Sequence, residues 1–150
     1  MLTEWDTRFL DLARHIGGWS KDPSRQVGCV IVGPSREIRA VGYNGFPRGA
    51  DDSPESIRYT RPAKYLWTEH AERNAIYQAA KCGIPVGGCT MYLPWFPCMD
   101  CARAIVQAGI SRLVAIPPDD SDHRWRHHFE AARELFEEAA IELKLSTSGL

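Results

Sequence analysis

The chain has 150 residues, 44% of them apolar and 25% charged, with a formal net charge of −1. That length fits one ordinary domain with a buried core, and the balance of residue types excludes a disordered or fibrous chain. Near-neutrality argues against a long DNA or RNA partner, which calls for a basic face, but leaves room for a small anion held by one or two arginines.

Trp5, Phe9, Leu12, Ala13 and Ile16 recur at helical spacing and Gly17-Gly18 ends the run, which predicts a first helix. QVGCVIVG and EIRAVGYN are β-rich, and GPSRE between them makes an antiparallel hairpin. Residues 44–62 are rich in Gly, Pro, Asp and Ser and read as a long loop, a kind of segment that often carries function. A helix is expected over about 70–82, ended by Gly83, then a strand at CTMYLP, a helix over 98–108 closed by Gly109, and a strand at RLVAIP. The tail predicts a helix over roughly 125–140 and a last strand at IELKL. Strands interleaved with helices predict an α/β fold, a three-layer α/β/α sandwich over one mixed five-stranded sheet.

No apolar run approaches the length of a membrane span, and the opening MLTEWDTRFLDLARHIGG mixes charged and apolar residues, so no membrane association and a cytoplasmic location are expected. Five cysteines are an odd number, and only Cys98 and Cys101 are closely spaced. In a reducing compartment such a pair points to metal binding or redox chemistry before a structural disulfide.

His70 and the Cys98/Cys101 pair fall at two helix starts. Residues three apart share a helix face, so both sulfurs can converge on one ion, and the helix dipole favours the ligating thiolate. One His and two Cys make three ligands where tetrahedral zinc takes four. The remaining cysteines and the later histidines are scattered, so the pattern fits an open site completed by water better than a closed structural one. Two thiolates cancel the formal charge of Zn²⁺ and weaken it as a Lewis acid, so a base is needed beside it. Glu72, two residues after His70, is the candidate, since side chains at a helix end can arch over the terminus. The alternative reading of Glu72 is a carboxylate that merely favours the helix N-terminus.

H-x-E followed by P-C-x-x-C is the zinc nucleobase deaminase signature. PSRQVGCVIV, GYNGFPRG, HAERNAI and FPCMDCARAIVQAGI, in that order over residues 22–114, resemble the cytidine/deoxycytidylate deaminase superfamily and within it the dCMP deaminases. The resemblance implies a cytidine deaminase-like fold and one Zn²⁺ per chain held by His70, Cys98 and Cys101. It implies Glu72 as the proton shuttle for hydrolytic deamination of dCMP to dUMP. By the same resemblance the Ala71 N–H binds the base O2, Asn44 meets the sugar hydroxyl and Arg25 takes the 5′-phosphate, with Arg48 and Lys64 as weaker candidates. The implied partners are a small nucleotide and further copies of the chain, as a dimer or hexamer.

Two departures stand out. Glu69 occupies a position before HAE that is often small or apolar, and no role is assigned to it. Pro94, Trp95 and Phe96 stand where a Thr commonly precedes the P-C pair, and the two aromatics can wall the base pocket or pack a core. The run DDSDHRWRHHFE reads as an exposed helix start. Rival functions are a deaminase of the same fold acting on another base, nucleoside or modified nucleotide, and a non-catalytic zinc module with a fourth protein ligand.

Overall fold

The computed structural model describes residues 1–147. Helix α1, Glu4–Gly17, starts with a capping box: Thr3 accepts from the Asp6 N–H, and the Asp6 carboxylate accepts from the Thr3 N–H. Strands β1 (Gly28–Val32) and β2 (Ile38–Tyr43) form the expected antiparallel hairpin. After a short helix α2 (Lys64–Trp67) come α3 (Ala71–Cys82), β3 (Thr90–Leu93), α4 (Met99–Gln107), β4 (Arg112–Ala115), α5 (Arg126–Glu138) and β5 (Glu142–Leu145). The strands make one five-stranded sheet in the order β2-β1-β3-β4-β5. It is mixed: β1 is antiparallel to both neighbours, whereas β3, β4 and β5 run parallel.

The period-two alternation of the strands sorts the core into two layers. Val30, Val32, Tyr92 and Val114 face one side and pack under Phe9, Leu10 and Ala13 of α1. Cys29, Ile31, Met91, Leu93, Leu113 and Ala115 face the other, against α3, α4 and α5. All five residues of β1 are buried, as a strand covered on both faces requires. Helix α3 lies directly on β2 because Gly42 has no side chain: a Cβ there would come within 2.4 Å of the Ala75 nitrogen and 2.5 Å of the Ala71 carbonyl oxygen.

Two expectations need correction. His70 and Cys98 are not helical; each is extended (φ −81°, ψ 154° and φ −70°, ψ 171°) and is the N-cap of the helix that follows. The stretch 44–62 is not all loop, since Ile57–Tyr59 forms a 3₁₀ turn capped by the Ser56 hydroxyl. Contacts across the segment order it: Phe46 stacks on Tyr59, Arg58 lies over the Trp67 ring, and the Tyr59 hydroxyl donates to the Asp52 carbonyl.

Candidate active site

Topology brings the site together. Because β1 opposes both β2 and β3, those two strands point the same way, and the chain leaves both at the same end of the sheet. Helices α3 and α4 begin at that end, where ligands bind in open α/β sheets. The start of β1 lies there too, which brings residues 22–27 alongside.

Ordinarily an N-cap side chain accepts a hydrogen bond from the first turn. Neither His70 nor Cys98 does so, which leaves the imidazole and the thiol available. His70 Nδ1 lies 3.5 Å from Cys98 Sγ and 3.3 Å from Cys101 Sγ. Zinc bonds of about 2.0–2.3 Å in a tetrahedron require ligand atoms roughly 3.5 Å apart, so the spacing fits. Among the described residues these three form a group with metal-ligand spacing, and no fourth ligand atom joins it.

The electrostatics fit as well. The neighbouring Cys101 thiol, together with the His70 ring, draws Cys98 down to about 4. The Cys98 sulfur in turn pushes Cys101 well above the ordinary thiol value, with burial adding to the shift. Two adjacent sulfurs cannot both carry negative charge unless a cation sits between them. The donor set therefore suits a divalent metal, and His70, Cys98 and Cys101 are the residues that would hold it.

Glu72 is 3% exposed, and burial raises its carboxyl above the ordinary value while the His70 ring opposes that rise. The Ala71 N–H belongs to the first turn of α3, where no helical carbonyl reaches it. Both residues line a cavity of about 490 Å³ that also exposes His70 and Cys98.

Asn44 lines the same cavity but is largely engaged with the backbone: its Oδ1 accepts from the Val27 N–H at 2.8 Å and its Nδ2 donates to the Arg25 carbonyl at 2.9 Å. One Nδ2 proton remains for a ligand. Arg25 and Lys64 line the cavity and Arg48 does not. Lys64 is buried, with its Nζ 2.9 Å from both Asp22 Oδ2 and Ser24 Oγ. Of the two aromatics before Cys98, Trp95 faces the cavity, whereas Phe96 is 2% exposed and packs edge-on against Phe129 and Phe136. Glu69 gains a role: its carboxylate accepts from the His70 N–H and from Arg73 Nε, holding the start of α3.

Sequence reasoning missed one wall. Asp122, Arg124, Trp125 and Phe129 line the cavity, although their segment reads as an exposed helix start. Trp125 meets Tyr65 of α2 edge-on at 6.2 Å, and Arg124 lies 4.9 Å over the Tyr65 ring. Only the apolar spacing of Trp125 and Phe129, four residues apart, hinted at an inward face. Thr68 was also missed; its Oγ1 is buried beside the cavity with no hydrogen-bond partner among the described residues.

These features give an α/β sandwich with a donor set suited to a divalent metal beside a buried carboxylate, as in metal-dependent hydrolases. The family model of the cytidine and deoxycytidylate deaminase zinc-binding region matches residues 3–116. An uncharacterised deaminase in the luxG 3′ region of Aliivibrio fischeri is 41% identical over 145 residues, 95% of this chain and 94% of that protein. Deoxycytidylate deaminase from Homo sapiens is 39% identical over 144 residues, 92% of this chain and 77% of that protein. The dCMP deaminase of cyanophage S-TIM5, solved with dCMP and dUMP, shares the fold at a TM-score of 0.78 over 97% of this chain and 99% of that one, with 24% identity. The chain belongs to the cytidine and deoxycytidylate deaminase family, and it is a zinc-dependent deaminase.

Proposed function

We propose that the chain deaminates dCMP to dUMP and ammonia, with His70, Cys98 and Cys101 holding zinc and Glu72 moving the protons. The observation that carries this reading is a single cavity lined by His70, Cys98, Glu72 and Arg25, with Cys101 grouped with His70 and Cys98 at metal-ligand spacing. Deoxycytidylate deaminases 38–39% identical over most of the chain support the choice of base and phosphate.

Zinc held by His70, Cys98 and Cys101 would supply Lewis-acid polarisation of a water, lowering its pKa. Glu72 would take one proton from the attacking water as its oxygen adds to C4 and deliver it to N3, then take the second from the new C4 hydroxyl and pass it to the departing amine. The water oxygen thus stays on the base as the C4 carbonyl, and the amino group leaves as ammonia. Burial that lifts the Glu72 carboxyl brings it nearer the working pH, where a proton shuttle is most effective. The Ala71 N–H donates to the base O2, the free Nδ2 proton of Asn44 meets the sugar, and Arg25 takes the phosphate in a fork of N–H donors.

A cytoplasmic, homo-oligomeric enzyme completes the proposal. Five unpaired cysteines suit a reducing compartment. Among the described residues no helix is long and apolar enough to cross a membrane. Ile57 and Leu66, 76% and 86% exposed, offer apolar surface for a further copy.

Ammonia release measured over dCMP, deoxycytidine, cytidine and guanine tests the substrate, with zinc content determined on the same sample. The dCMP reaction is expected to be fastest. A faster nucleoside or purine overturns the substrate, and a zinc-loaded protein inert on every compound overturns the enzyme reading in favour of a zinc module.

A further inference from the structure

Five cationic side chains line the cavity, and they are not equivalent. Lys64 is bound to Asp22 and Ser24, and Arg73 to Glu69. Arg61 donates through Nε to the Tyr65 hydroxyl, and Arg124 rests over the Tyr65 ring. Arg25 has no carboxylate partner among the described residues; its guanidinium carbon lies 4.3 Å from the centre of the Trp95 ring. The Arg25 backbone is fixed on both sides, its N–H donating to Asp22 Oδ1 at 3.1 Å and its carbonyl accepting from Asn44 Nδ2 at 2.9 Å.

We propose that Trp95 is a positioning residue: its ring holds the Arg25 guanidinium in place and thereby sets the preference for a 5′-phosphorylated substrate over the free nucleoside. The inference rests on the dCMP reading above. A guanidinium carries all its donors in its own plane, so an aromatic ring against its face restrains it without occupying any N–H. Stacking therefore differs from an ion pair, which would orient the side chain but occupy the donors a phosphate needs. Trp95 also links the Arg25 contact to the segment that carries Cys98. It sits three residues before the N-cap Cys98, and its carbonyl accepts from the Ile116 N–H at 3.3 Å, beyond the end of β4. The anion holder and the metal-ligand helix are thus tied to one short segment.

The test is steady-state kinetics on dCMP and deoxycytidine for zinc-loaded wild type, Trp95→Ala, Trp95→Phe, Arg25→Ala and the Arg25→Ala/Trp95→Ala double variant. Trp95→Ala is expected to lower the dCMP-over-deoxycytidine ratio of kcat/KM about 5- to 10-fold, chiefly through KM for dCMP. Trp95→Phe keeps a ring face and restores most of the ratio, and the double variant is no worse than Arg25→Ala alone. Equal losses on both substrates, no rescue by Phe, or additive losses in the double variant overturn the proposal. A wild type that does not prefer dCMP overturns the substrate reading and this inference together. A wild-type preference that survives in Trp95→Ala overturns this inference alone.

Discussion

Two buried polar clusters lie on opposite faces of the sheet, and they are built on opposite plans. Under α1, the Asp6 carboxylate accepts from the Tyr92 hydroxyl at 2.8 Å, from two Arg112 nitrogens at 2.9 Å each, and from the Thr3 N–H at 3.0 Å. A carboxylate has about four acceptor sites, and all are filled by the chain itself. On the other face, His70, Cys98 and Cys101 point their ligand atoms at one another, with buried Glu72 beside them. The first cluster is complete, and the second is balanced only by a cation from outside the chain. A complete network stabilises; an incomplete one binds. The pKa shifts follow the same division. Hydrogen bonding to Arg112 holds Asp6 far below the ordinary carboxyl range, and burial with Asp6 beside it pushes Tyr92 up to about 12. Burial moves Glu72 the other way, upward.

Substitutions can break this contrast at either face. The largest effect is expected from Cys101→Ser, which removes a thiolate from the trio: zinc measured by atomic absorption falls from about one per chain to near zero, and ammonia release is lost. Glu72→Gln separates binding from chemistry. Zinc is retained while kcat falls about 10³-fold, the scale of a lost general acid–base group, and unchanged turnover would reject the role of Glu72.

At the closed cluster the expected losses are in stability, not turnover. Asp6→Asn leaves Arg112 short of its partner and costs about 2–3 kcal/mol in urea unfolding, below the range for a fully buried pair because the Arg112 side chain stays 20% exposed. Its kcat/KM on the zinc-loaded protein stays within about two-fold, since among the described residues no hydrogen bond or ion pair joins Asp6 or Arg112 to a residue lining the active-site cavity; a ten-fold loss would sink that separation.

The smallest effect is a pH dependence. Asp6 has a folded-state pKa depressed below its ordinary 3.8, so its contribution is fully present above that value and declines as pH falls towards the folded-state value. Thermal unfolding is therefore expected to show a steeper acid decline for wild type than for Asp6→Asn below about pH 4. Parallel curves would show that Asp6 contributes nothing to it.

The candidate ligands His70, Cys98 and Cys101 and the nearby Glu72 stood out in the sequence because their signals are short-range. His70, Ala71 and Glu72 are adjacent, Cys98 and Cys101 are one helical turn apart, and both groups mark helix starts. The five strands and four main helices were legible for the same reason, through apolar period and glycine stops. The N-cap status of His70 and Cys98 was not, because periodicity cannot place a helix boundary to one residue. Nor was the ordering of 44–62, which depends on aromatic contacts such as Phe46 on Tyr59.

By itself the sequence marked the element types and the two local halves of the candidate site, His70 with Glu72 and Cys98 with Cys101, since each half lies within a single helical turn, whereas the sheet order brings the halves together across 28 residues. Only the tertiary structure decided that Trp95 lies against Arg25, that residues 122–129 wall the cavity, and that Asp6 finds Arg112 106 residues away. The physical reason is chain closure: such pairs meet only after strands from distant parts of the chain have taken their order in the sheet, and local pattern carries no record of that order.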